Sequence, residues 1–105
     1  MAKYYFVAAS EKFLMVEEPL EEILKERKRN YKENNKEIDF WLLSRPLFLK
    51  LDRFKDIYKK IPQPQAAVIS TDKKFILFLK LRLEFVAFGD FESSNSEIND
   101  PLAVE

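Results

Sequence analysis

The sequence predicts a single α+β domain: about four strands in a largely antiparallel sheet, covered by about three helices. Three observations predict it. Short aromatic or β-branched runs alternate with longer stretches of helical periodicity, in the order β-β-α-β-α-β-α. The first two strand-like runs are close enough to form a hairpin, which makes their pairing antiparallel. The chain has 105 residues, 47% apolar and with ten Phe, enough for one aromatic core and no second one.

Taken in order, residues 3–9 (KYYFVAA) read as a strand that is apolar on both faces. Ser10-Glu11-Lys12 reads as a turn, and residues 13–16 as a shorter strand closing the hairpin. Glu17-Glu18-Pro19 opens a helix, because Pro suits the first helical position and acids suit its positive end. Leu20, Ile23, Leu24 and Tyr31 recur at helical spacing, bases load the C-terminal half, and Asn34-Asn35 ends the helix. Residues 38–43 (IDFWLL) form a strand expected in the covered middle of the sheet. A second helix is expected from about residue 51 to the stop at Pro62, then a stiff Pro62-Gln63-Pro64-Gln65 connector. Residues 66–70 form a short strand. Thr71 or Asp72 caps the last helix, which is expected to run to about Phe88, with Lys80–Glu84 as a surface pair and Gly89 as its left-handed stop. Residues 1–91 are thus one globular domain, and residues 92–105 an acidic, loosely attached tail.

Composition removes most enzyme chemistry. With no His and no Cys, the chain lacks the means for His-based triads, thiol nucleophiles, iron–sulfur clusters and the usual zinc sites. Gly89 is the only glycine, so glycine-rich phosphate loops are absent too. The acids Glu17, Glu18, Glu21 and Glu22 cluster where a helix dipole accounts for them better than a cation does. No catalytic residue, cofactor or metal is expected. Lys+Arg and Asp+Glu balance at 18 each, which argues against nucleic acid as a partner. The balance conceals a polarity: residues 1–89 carry all 18 bases against 13 acids, and residues 90–105 carry five acids and no base. No apolar run approaches the ~20 residues of a membrane span. Strand-like sequence begins almost at once, so no signal or transit peptide is expected and the chain is placed in a cytosol or plastid stroma.

A few residues resist a purely structural account. A wheel of the last helix sets Arg82 among Phe78, Phe75, Val86 and Leu79, so its guanidinium must meet an acid, snorkel or face another molecule. Arg27 is placed similarly in the first helix, with Glu26 on the flank of the same stripe. Asp39 is the only charge inside an apolar strand. It reaches water, or accepts from Arg82, Arg27 or a partner's cation. Phe40 and Trp41 point to opposite faces of that strand, where aromatics are ordinarily core.

The stretches KYYFVAAS (3–10), EEPLEEILKERKRNY (17–31), KEIDFWLL (36–43), AAVIST (66–71), KLRLEFVAFGDF (80–91) and DPLA (100–103) resemble one small family of cyanobacteria and plastids. It is the family that accompanies the Mg-protoporphyrin IX monomethyl ester oxidative cyclase, as an auxiliary or assembly protein. The resemblance spans nearly the whole chain in the same order. One departure is Phe78, where relatives are expected to carry Trp, a swap read as core-compatible. The resemblance implies a non-catalytic role in chlorophyll biosynthesis: binding the di-iron catalytic subunit and supporting its accumulation, assembly or activity. Other chlorophyll-biosynthesis enzymes are further partners it suggests, with membrane association only peripheral and through the partner. Asp39, Phe40 and Arg82 lie in matching stretches and are carried over as contact or contact-supporting residues, with Glu26 and Arg27 second. The rival is a tetrapyrrole carrier that delivers substrate to the cyclase, which would have to hold magnesium without an imidazole.

Overall fold

A computed structural model describes residues 3–18, 20–83, 86–92 and 100–105. Four antiparallel strands form one sheet: β1 (Lys3–Ser10), β2 (Phe40–Ser44), β3 (Gln65–Ser70) and β4 (Ala87–Glu92), in the order β2-β3-β1-β4. Three α-helices connect them: α1 (Leu20–Glu33), α2 (Lys55–Lys60) and α3 (Lys73–Leu83). The α+β class and the strand count are as the sequence predicts.

The sheet divides the core into two layers. Alternate residues Val7, Ala9, Phe40, Ala66 and Val68 face α1 and α3, meeting Leu20, Leu24, Tyr31, Phe75, Ile76, Leu79 and Leu83. The other set, including Phe6, Ala8, Ala67, Ile69 and Phe91, faces Phe48, Leu49, Phe54 and Ile61. Every residue of β3 is buried, as a central strand covered on both faces must be. Its one long polar side chain, Gln65, donates to the carbonyls of Tyr58 at 2.8 Å and Ile61 at 3.1 Å. Asn35 ends α1 in the left-handed region at φ 51°, the expected stop.

Four expectations are corrected. Residues Phe13–Glu17 are a π-helical turn rather than a hairpin strand, closed by the Glu18 N–H donating to the Phe13 carbonyl at 2.7 Å. Leu14 is buried from that turn while Val16 is 70% exposed, so one short apolar run serves core and surface together. The fourth strand comes instead from the C-terminal side. The last helix ends at Leu83, and residues Ala87–Glu92 pair with β1 from Ala8↔Ala87 to Lys3↔Glu92. Gly89 is therefore no helix stop, and no glycine has positive φ. It lies opposite Phe6, whose Cζ would be 2.6 Å from a β-carbon at that position. Third, the second helix begins later than residue 51, with 3₁₀ turns at Leu47–Lys50 and Asp52–Phe54 leading into α2. They seat Phe48, Leu49 and Phe54 in the core.

Strand β2 lies at the sheet edge, not in its middle. Pro19 and the Lys80–Glu84 pair fall outside the described residues, as do residues 93–99 of the tail. Asp100–Glu105 return to the top of the sheet, where Val104 bridges Pro46, the Glu105 N–H donates to the Arg45 carbonyl at 3.0 Å, and Lys50 pairs with Glu105.

Candidate partner-binding face

Four of the five residues singled out divide into two places. Asp39, Phe40 and Arg27 meet where the C-terminal half of α1, the start of β2 and the cap of α3 converge. One Arg27 Nη2 donates to the Tyr31 hydroxyl at 2.8 Å and to Asp72 Oδ2 at 2.9 Å. Tyr31 in turn donates to Asp39 Oδ1 at 2.8 Å. The other Asp72 oxygen caps α3, accepting from the Lys74 N–H at 3.0 Å and the Phe75 N–H at 3.4 Å. The same guanidinium lies over the Phe75 ring at 3.8 Å, and beside Tyr31 and Phe40 at 5.0 and 5.3 Å. Charge, hydrogen bond and ring face thus tie three elements at one point.

This geometry decides between the alternatives for each residue. Asp39 accepts from Tyr31, from neither Arg82 nor Arg27, and its backbone carbonyl also receives the Thr71 N–H. It is half-buried, and its second carboxylate oxygen has no hydrogen bond among the described residues, so it remains available. Phe40 is 0% exposed, edge-on to both Tyr31 and Phe75. It can support a contact but not make one. Arg27 is no solvated helix edge: its side chain is 24% exposed, and its buried Nε has no partner among the described residues. Burial and the hydrogen bond to Asp39 push the Tyr31 pKa above 10.0. Glu26 is exposed and pairs with Arg29 at 2.8 Å, apart from this knot. Tyr31 and Asp72 were missed as members. The signal was present: a cap uses one carboxylate oxygen, so Asp72 had another to offer Arg27.

Arg82 is elsewhere. Ten residues past Asp72, it lies roughly 15 Å further along the helix axis. The buried stripe of α3 is Phe75, Ile76, Leu79 and Leu83, rotated away from Arg82, which is exposed and meets no carboxylate within 4.0 Å among the described residues. The outer surface of the helix carries apolar side chains instead: Leu77 is 36% exposed, Phe78 51% and Leu81 80%. Phe78 is therefore a surface aromatic and not the core replacement expected. Residues 73–83 contain four bases and no acid, so this apolar surface is set in positive charge.

The family model of the Ycf54 protein matches residues 2–93. The chain belongs to the Ycf54 family. It is 52% identical over 103 residues to the Ycf54-like protein of Synechocystis sp., covering 98% of this chain and 77% of that one. Similarity to the chloroplastic Ycf54 protein of Arabidopsis thaliana is 39% over 94 residues, 89% of this chain but 44% of the plant protein. Among solved structures, the All0216 protein of Nostoc sp. PCC 7120 superposes with a TM-score of 0.94 at 54% identity, covering 98% and 95% of the two chains. The Ycf54 protein of Thermosynechococcus elongatus gives 0.93 at 52% identity, covering 98% and 94%. Ycf54 relatives thus occur in cyanobacteria and plastids, as the resemblance implied. Among the described residues, no helix is long and apolar enough to cross a membrane.

Proposed function

We propose that this Ycf54 protein is a non-catalytic accessory factor of the Mg-protoporphyrin IX monomethyl ester oxidative cyclase. It binds the di-iron catalytic subunit and supports its accumulation or activity in chlorophyll biosynthesis, in a cyanobacterial cytoplasm or plastid stroma. The observation that carries the reading is the outer surface of α3, where Leu81 is 80% exposed beside an Arg82 that meets no acid among the described residues. Fully burying a leucine is worth about 1.5–3 kcal/mol, and the fold leaves most of that unused here. A partner that covers Leu81 and offers Arg82 a carboxylate recovers it. The Asp39–Tyr31–Arg27–Asp72 knot fixes the start of the same helix, so those residues act by positioning the surface, with the free Asp39 oxygen as a further contact. A chain without His or Cys is also better suited to hold another protein than to hold redox iron.

The test is co-purification of the tagged chain from a photosynthetic cell. The catalytic subunit should accompany the wild type and be lost with Leu81→Lys, a surface change expected to leave stability within about 0.5 kcal/mol. Retention of the subunit by folded Leu81→Lys would contradict the assignment of this surface. A porphyrin absorption shift on mixing substrate with the pure chain would favour the carrier reading instead.

A further inference from the structure

Strand β2 is the outermost strand on its side of the sheet. The Thr71 N–H donates to the Asp39 carbonyl at 3.2 Å, and the Arg45 N–H to the Gln65 carbonyl at 2.7 Å. With the register running from Phe40↔Ser70 to Ser44↔Ala66, residues 39, 41, 43 and 45 direct their backbone groups into the ladder. Phe40, Leu42 and Ser44 therefore turn N–H and C=O away from β3, and among the described residues no backbone group meets them; Phe40 is 0% exposed, so Leu42 and Ser44 are the two that a partner can reach. Proteins ordinarily blunt such an edge with charge or proline. Strand β4, at the opposite edge, carries Asp90 and Glu92, whereas β2 (FWLLS) carries no charge and no proline. The chain's own C-terminal stretch pairs with residues 45–47 just beyond.

An open groove of about 730 Å³ runs along this edge, between β2 and α1. Ile38, Trp41 and Leu42 form its apolar side, and Lys25 and Lys28 its basic one. Both lysines are exposed and meet no carboxylate within 4.0 Å among the described residues, though Glu21 also lies on the rim. We propose that the free edge of β2 takes an extended, acidic segment of a partner protein as a fifth strand. Main-chain bonds to Leu42 and Ser44 supply the pairing, alternate apolar side chains enter beside Trp41, and acids meet Lys25 and Lys28. A second copy is a poor occupant, because β2–β2 pairing about a two-fold axis sets the α1 lysines of both copies against each other. This surface is distinct from the outer face of α3, and the proposal stands whatever that face binds.

The probe is a blocked Glu-Val-Glu-Val-Glu-Val-Glu peptide, added to the full chain and followed by anisotropy and by amide exchange at single residues. Binding should protect the amides of Leu42 and Ser44. It should weaken at least about tenfold in the Lys25→Glu, Lys28→Glu double variant. It should also be lost with Ser44→Pro, since proline at an outward-facing edge position spares the fold but removes a donor. The same peptide with alternate amides N-methylated should not bind. The proposal is overturned by no binding, by equal binding of the N-methylated peptide, by equal binding of a Lys-Val peptide, or by protection confined to other strands. Protection of these two amides that grows with the chain's own concentration, without peptide, would assign the edge to self-association and overturn it as well.

Discussion

The Tyr31 hydroxyl stands between a cation and an anion, accepting from Arg27 and donating to Asp39. Burial first, and then the bond to Asp39, raise its pKa above 10.0. The folded pKa thus exceeds the unfolded one, so the folded chain holds this proton more tightly. The contribution to stability is complete below the unfolded value and is lost as pH rises through the folded one. Unfolding free energy should therefore decline above about pH 10, and less steeply in Tyr31→Phe than in the wild type. Parallel curves for the two proteins would contradict this account of Tyr31. Near neutral pH the same substitution should cost about 1 kcal/mol, the loss of one linking hydroxyl from a partly wet site. Gly89 makes a second prediction. A β-carbon there would sit 2.6 Å from Phe6 Cζ and 2.8 Å from Cε2, and Phe6 is 0% exposed. Phe48 and Phe54, at centroid distances of 4.7 and 5.1 Å, leave that ring no retreat. Gly89→Ala should cost about 1–3 kcal/mol in a denaturant titration, and an unchanged midpoint would show that the ring can yield.

At the scale of elements, α1, β2 and β3 are legible because periodicity, caps and turn residues agree over their whole length. Residues 13–16 and 87–92 mislead for a physical reason. Phe-Leu-Met-Val suits a strand, yet here the run follows Ser10, whose hydroxyl accepts the Phe13 N–H at 3.1 Å and starts a helical turn. The helical pattern of residues 75–83 continues in sequence through Val86 and Phe88, and only pairing with β1 shows that a strand begins at Ala87 and takes in Phe88. Such pairing is non-local and leaves no mark in a window of neighbours. The wheel of α3 fails differently. Apolar residues surround most of that helix, so a pattern cannot say which of them faces the sheet, and Phe78 and Leu81 were indistinguishable from core. The C-terminal stretch gives a prediction at this scale. Its main-chain attachments beyond itself are Leu47 N–H to the Ala103 carbonyl and Glu105 N–H to the Arg45 carbonyl, with the Val104–Pro46 bridge between. So short a seam opens locally. The Glu105 amide should exchange well before those of Trp41 and Leu43 in β2, and equal protection would make the C-terminus an integral part of the sheet.

For the molecule as a whole, the two sides of the sheet have different tasks. One is closed by Phe48, Leu49, Phe54 and Phe91 into an aromatic core. The other carries α1 and α3, and with them nine of the 18 bases, the exposed Leu77 and Leu81, and the half-buried knot that fixes α3. The candidate residues were legible as residues, because charges that interrupt apolar runs stand out. Their grouping was not, because nothing in the sequence says that Asp39 meets Tyr31 while Arg82 points outward. The structure separates what two substitutions should do. Asp39→Ala removes the acceptor of a buried hydroxyl and should lower the melting temperature as well as partner affinity. Arg82→Ala removes an exposed side chain that meets no acid among the described residues and should leave the melt unchanged. Truncating a charge that becomes buried at an interface costs ~2–5 kcal/mol, which is more than about tenfold in affinity even at the lower figure. The most direct measurement is the dissociation constant of the purified catalytic subunit for wild type and Arg82→Ala, each with its thermal melt. An unchanged melt with at least about tenfold weaker binding is the predicted result. Undiminished affinity in a fully folded Arg82→Ala protein would contradict it.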